Sequence, residues 1–147
     1  MTEIEIRAHF ETQAASCHRL GSPFTAILCR QLPKLLDTHT ATGRKVLKWH
    51  GDPGSDALAL RLCGALHALV LSKMEPALAD SYPPYKQREG ALQKAVAQAI
   101  ARHDPFIVDF IDSPPQTNEI ARSAMLLPGL LLVARERRPQ PASGSLS

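Results

Sequence analysis

The sequence lacks the features that mark several large classes of protein. No apolar run is long enough to span a membrane, because Arg61, His67 and Lys73 interrupt the most apolar stretch. Aromatic residues make up only 5% of the 147 residues, and the net charge is only +3. A collagen repeat, an acidic tail and a strongly basic nucleic-acid-binding domain are therefore excluded. A near-neutral globular chain is the class that remains.

Cysteine is also scarce, and the three cysteines lie far apart in the sequence, at Cys17, Cys29 and Cys63. The first residues, MTEIEIRAHFETQ, carry acidic groups and no long apolar segment, unlike a secretion signal or transit peptide. We therefore expect a cytoplasmic protein with reduced thiols. Cys63 and His67 share a helical face, and Cys17-His18 could complete a metal site, but no C-x-x-C or H-E-x-x-H accompanies them. We interpret these residues as core and predict no metal site.

Hydrophobic residues are plentiful, at 44%, and they recur mostly at spacings of three and four. This periodicity predicts helices rather than strands. We expect an all-α fold, a single compact domain of about six helices with Pro and Gly breaks, over residues 1–134. Residues 135–147 contain two prolines, three serines and no apolar periodicity, which predicts a polar, disordered tail.

Helix boundaries are indicated by caps, prolines and glycines. Thr42-Gly43 and residues 50–53 are interpreted as turns, with a short helical turn at 46–49 between them. The most apolar helix should be central and buried. The longer predicted helices are Glu3–Arg19, a helix from Pro23 kinked or split at Pro33, Asp56–Lys73 capped by Ser55, Lys86–Arg102, Phe106–Ile111 capped by Asp104, and one from Ser113 through Val133 bent at Pro128-Gly129.

Five strings carry a resemblance to a known family: GSPFTAILCRQL, WHGDP, LALRLCGALHALVLS, YPP and FIDSPPQTNEIARSAMLLPGLL. In this order they resemble a bacterial domain of unknown function, number 2332, over roughly residues 4–133. The most specific piece is DSPPQTNEIARSA, from Asp112 to Ala124. The resemblance implies membership of a family without an established activity.

The resemblance also implies a longer parent protein. Members of the family continue after the LLPGLL helix into a strand and a Gly-rich loop similar to the cofactor loop of methyltransferases. Here the chain continues as ARERRPQPASGSLS instead. We therefore expect the N-terminal half of such a protein, ended by truncation or a changed reading frame. The loop that would hold S-adenosylmethionine is missing, so we expect no cofactor and no catalysis by this chain alone.

Candidate binding residues fall in two groups. Polar residues concentrate where a loop leads into the last predicted helix, a place suited to an anion or polar ligand, although capping explains part of the pattern. The second group could form another part of one cleft, although solvated charges and a packed Trp explain it as well. The predicted ligand-binding residues are Asp112, Gln116, Thr117, Asn118 and Glu119 in the first group, and Trp49, Asp52, Arg61 and His67 in the second.

Three functions remain open from the sequence alone. The first is a helical accessory or binding domain for a small polar or anionic ligand. The second is an interaction module that forms homo-oligomers through the very apolar helix at 120–133. The third is a small enzyme or metal protein using His67 with Asp52, Asp112 or Glu119. A basic turn at Arg44, Lys45, Lys48 and His50 could meet phosphate, but we interpret it as solvated, and we expect neither nucleic-acid nor membrane binding.

Overall fold

The computed structural model describes residues 2–83 and 89–113 of the chain. Within these residues the fold is all-α, as predicted, with seven helices and no strand. Residues 114–133 of the predicted last helix and the predicted tail at 135–147 lie outside the described residues. The helices in chain order are α1 (Glu3–Arg19), α2 (Pro23–Leu35), α3 (Ala41–Leu47), α4 (Leu58–Leu71), α5 (Pro76–Ala79), α6 (Glu89–Arg102) and α7 (Asp104–Asp112).

Helix α1 has the predicted bounds, and its ends show why. Thr2 accepts a hydrogen bond from the Glu5 backbone N–H, and the Glu5 carboxylate accepts one from the Thr2 N–H, which is a capping box. The helix ends before Gly21, whose φ is 85°. Its buried residues are Ile6, Phe10, Ala14 and Cys17, and the helix packs mainly against α2.

Helix α4 is the central buried helix, as its composition predicts. Eleven of its residues are buried, including Leu58, Leu62, Leu66 and Leu69, none of which has any exposed surface. Burying four such side chains stabilises the fold by about 1.5–3 kcal/mol each. The helix contacts α1, α2, α5 and α7, so it holds the elements of the domain on one core.

Three local predictions of caps and turns were wrong. Thr42-Gly43 lies inside α3 rather than in a turn. Ser55 donates to the Asp52 carboxylate, so α4 begins later, after Ala57 in the left-handed conformation. Asp104 does not cap its own helix, since its carboxylate accepts hydrogen bonds from the backbone of α3.

The three cysteines lie in the core as free thiols. The sulfur atoms of Cys29 and Cys63 are 3.8 Å apart and join α2 to α4. The hydrogen bond between Cys17 and Cys29, together with burial, raises the pKa of Cys17 far above its usual range. Cys17 is therefore a protonated core thiol at neutral pH.

No helix in the described part of the chain is long and apolar enough to cross a membrane. Across residues 2–83 and 89–113, no group of three His, Cys, Asp or Glu side chains is arranged to hold a metal ion.

Candidate functional site

A cleft of about 570 Å³ opens between α3 and α7. This volume falls within the range of small-molecule sites. Helix α3 and the segment after it supply most of the wall, and α7 supplies the rest. The lining residues are Ala41, Arg44, Lys45, Lys48, Trp49, His50, Gly51, Val108 and Asp112.

The two helices that form the cleft are tied together at their first turns. The Asp104 carboxylate accepts hydrogen bonds from the backbone N–H groups of Ala41 and Thr42, both at 2.8 Å, and from the Thr42 hydroxyl at 2.5 Å. Burial favours the neutral acid, but these hydrogen bonds and the charge of Arg44 lower the pKa of Asp104. Asp104 is thus an ionised cap supplied to α3 by a residue about 60 positions later.

A second tie joins the last turns. Lys45 Nζ lies 2.5 Å from Asp112 Oδ1, and both side chains are partly exposed. Both residues line the cleft, so the ion pair is part of its wall. Because Asp112 is neutralised by Lys45, the charges of Arg44 and Lys48 are left to make the cleft positive.

The indole of Trp49 is held by contacts on more than one side. Its Nε1 donates a hydrogen bond to Asp56 Oδ2 at 2.8 Å. The Arg61 guanidinium lies 5.7 Å from the ring centroid and Lys45 Nζ lies 5.9 Å from it, both within cation–π range. A Cβ at Gly51 would overlap Asp56 Oδ2, so a larger residue at Gly51 would displace the carboxylate that holds the indole.

Arg61 supports the cleft without lining it. Its Nε donates to the Asp56 carbonyl oxygen at 2.7 Å, and its Nη1 donates to the Ile111 carbonyl oxygen at 2.8 Å. One guanidinium therefore joins the start of α4, the Trp49 ring and the end of α7. Removing it would leave the positions of Trp49 and Asp112 less well defined.

The chain matches the family model described as an uncharacterized protein conserved in bacteria (DUF2332) over residues 7–143. The chain belongs to the DUF2332 family. The resemblance carried by the five strings is thereby confirmed. No curated protein and no solved structure matches the chain.

The structure brings together some of the ligand-binding residues predicted for this DUF2332 member. Trp49 and Asp112 line one cleft, and Arg61 contacts Trp49 and the end of α7. Asp52 lies in the adjacent turn, where it accepts hydrogen bonds from Ser55 at 2.6 and 2.9 Å and does not line the cleft. These hydrogen bonds lower the pKa of Asp52.

His67 lies elsewhere, on a buried part of α4. Its Nδ1 is 2.6 Å from the Tyr82 hydroxyl, and the two rings pack edge to face with centroids 5.3 Å apart. Burial raises the pKa of Tyr82 well above its usual range, so the phenol is neutral. Gln116, Thr117, Asn118 and Glu119 lie outside the described residues, and their predicted role in binding stays a prediction.

The cleft residues that sequence reasoning missed are the basic ones of the DUF2332 chain. The local pattern at Arg44, Lys45, Lys48 and His50 indicates a solvated turn, yet all four line the cleft. These four residues lie close in sequence to Trp49, the single tryptophan of the chain, and this closeness is the sequence feature that could have indicated a binding site. No local pattern predicts that Val108 lines the cleft, because only the packing of α7 against α3 places it in the wall.

Proposed function

We propose that this chain is a helical ligand-binding domain that holds a small anionic ligand in the α3–α7 cleft. The observation that carries the proposal is the lining of the cleft, where three cationic side chains and a histidine face one neutralised carboxylate. An anion entering there gains Coulomb energy in a partly enclosed site. The sequence predicts a small polar or anionic ligand, and we propose the α3–α7 cleft as the place where it binds.

Arg44 and Lys48 are the residues proposed to contact the anion. They are four positions apart, one helical turn, and both side chains are exposed rather than buried in the fold. Arg44 donates one hydrogen bond, from Nη1 to the Thr38 carbonyl oxygen at 2.9 Å, so its remaining N–H donors can meet a ligand. Lys45 differs, because its charge is already paired with Asp112.

The proposed role is binding rather than catalysis. Trp49 and Lys45 are engaged in contacts that hold the cleft in shape, and the cations suit the retention of a charge. We further propose, from the resemblance, that the domain belongs to a longer bacterial protein with a methyltransferase-like second half, which this domain would supply with its ligand. Association of two copies through residues 120–133 stays a prediction on residues outside the described part.

The proposal is tested by isothermal titration calorimetry of the full chain with inorganic pyrophosphate at low ionic strength. We expect saturable one-to-one binding. In the double variant Arg44→Gln, Lys48→Gln the affinity should fall at least tenfold, because two charge-assisted hydrogen bonds are lost, each worth about 1.5–3 kcal/mol.

The matched control removes the same charge from another surface. Arg30 on α2 and Lys94 on α6 are exposed and do not line the cleft, so Arg30→Gln, Lys94→Gln should bind pyrophosphate like the wild type. Equal weakening in both double variants would indicate unspecific attraction to net charge. That outcome, or absence of binding to the wild type, would overturn the proposal.

A further inference from the structure

The cleft has two chemically different parts, which narrows the class of ligand. The cationic part consists of Arg44 and Lys48, and His50 lines the same cleft. The apolar part consists of Trp49 and Val108, with the methyl group of Ala41. Inorganic phosphate would use only the first part and would leave the indole in contact with water.

The Lys45–Asp112 pair adds a polar contact of a third kind. Its atoms, 2.5 Å apart, present a hydrogen-bond donor and an acceptor side by side within the cleft wall. A sugar hydroxyl or an exocyclic amine can bond to such a pair, because each of these groups donates a hydrogen to the carboxylate. A purely apolar or purely anionic molecule would leave this pair unused.

We propose that the ligand is a nucleoside monophosphate. Its phosphate would bind Arg44 and Lys48, its base would pack against Trp49 and Val108, and its sugar or exocyclic amine would bond Asp112. The inference rests on the proposed function and adds the aromatic ring to the anionic group. The cleft volume of about 570 Å³ suits a molecule of this size.

A nucleotide monomer fits the charge of the chain better than a polymer does. Polynucleotide binding depends on many phosphate contacts along a basic surface. The net charge of the whole chain is only +3, and the basic residues of the cleft all fall between Arg44 and His50. Such a short cluster can neutralise one phosphate group but not a strand.

The test compares two ligands that carry the same phosphate, adenosine monophosphate and ribose 5-phosphate. Trp49 is the only tryptophan, so its fluorescence reports directly on the cleft of the unmodified chain. We expect a saturable fluorescence change with the nucleotide and an affinity about tenfold higher than for ribose 5-phosphate, because stacking of a base on an aromatic ring contributes that much. No variant is needed, so loss of folding cannot imitate the result.

The outcomes separate this inference from the proposed function. Equal affinities for the two ligands would overturn the aromatic contact while leaving an anion-binding cleft. No binding of either ligand would contradict both proposals. A Trp49→Leu variant, which keeps an apolar side chain but has no aromatic face and no N–H bond to Asp56, should lose the preference for the nucleotide while it still binds ribose 5-phosphate, when calorimetry replaces fluorescence. An unchanged preference in this variant would contradict stacking on Trp49.

Discussion

Lys45 Nζ and Asp112 Oδ1 lie 2.5 Å apart and close the ends of α3 and α7 against each other. The pair sets both the shape of the cleft and its net charge. It also links Asp112, a residue predicted from sequence to bind a ligand, to a lysine whose local sequence indicates a solvated turn.

Asp112→Asn should strengthen the binding of pyrophosphate several-fold. The substitution keeps the size of the side chain but removes the negative charge that neutralises Lys45, so a third cation becomes available to the anion. Calorimetry at low ionic strength measures the change, and added salt should reduce it. Asp109→Asn is the control, since Asp109 is exposed on the same helix and does not line the cleft. Weaker binding by Asp112→Asn would contradict the neutralising role of this carboxylate.

The free energy of unfolding should decrease as the pH is lowered from 7.5 to 5, because His9 becomes protonated. Its Nε2 accepts a hydrogen bond from the Ala59 N–H at 3.2 Å, in the first turn of α4, where Ala57 provides no side-chain cap. Burial lowers the pKa of His9, although the charge of Asp52 opposes this. A lowered pKa means that the unfolded chain takes up the proton first, so stability present above about pH 6.5 is lost as pH falls through the folded-state value.

The measurement is urea unfolding at the two pH values for the wild type and for His9→Gln, whose amide oxygen can accept the same bond at either pH. Protonated His9 cannot accept it, so the wild type should lose about 1 kcal/mol more than the variant. An equal loss in both proteins would assign the pH dependence to other groups.

Gly43→Ala should destabilise the protein strongly, by several kcal/mol. A Cβ at this position would overlap the Asp37 carbonyl oxygen, so α3 would have to move away from the preceding backbone. Gly90→Ala is the matched control, because Gly90 lies in α6 and a methyl group there would have no neighbour within 4 Å. That change should stabilise the helix by about 0.5–1 kcal/mol. Thermal unfolding followed by circular dichroism measures both, and equal midpoints would contradict the close approach at Gly43.

Of the two partners of the buried Glu75 carboxylate, His103 should contribute more to the stability of the fold than Arg102. The carboxylate is almost fully buried and accepts from His103 Nε2 at 2.9 Å and from Arg102 Nη1 at 3.1 Å. The His103 side chain is 19% exposed and that of Arg102 is 60% exposed, so water can replace the arginine more easily. His103→Ala should cost about 1–3 kcal/mol in the free energy of unfolding and Arg102→Ala less than about 1 kcal/mol. The reverse order in urea unfolding would show that the arginine is the main partner.

The elements that could be predicted from the sequence are those whose signals are local. The spacing of the apolar residues in α1 and α4 is such a signal, and the structure has α1 at its predicted bounds and α4 within its predicted range. The cap predicted at Asp104 failed because its carboxylate bonds to residues that are distant in the chain. Asp104 has the sequence position of a cap for its own helix, but α3 lies within its reach and offers two N–H groups.

The cleft was only partly predictable for the same reason. The sequence analysis groups Trp49 and Arg61 as part of one cleft with Asp112, and the structure does bring these three residues together. The pairing of Lys45 with Asp112 joins residues that are far apart in the chain, so no local pattern encodes it. His67 has the chemistry of an acid–base residue, yet the structure buries it against Tyr82.

The proposed cleft is tested most directly by heteronuclear NMR of the ¹⁵N-labelled chain titrated with adenosine monophosphate. We expect saturable shifts of backbone amides concentrated at residues 41–51 and 107–112, together with the Trp49 indole N–H. Shifts that are absent, or that are spread over exposed basic residues such as Arg30 and Lys94 without saturation, would contradict a nucleotide-binding cleft between α3 and α7.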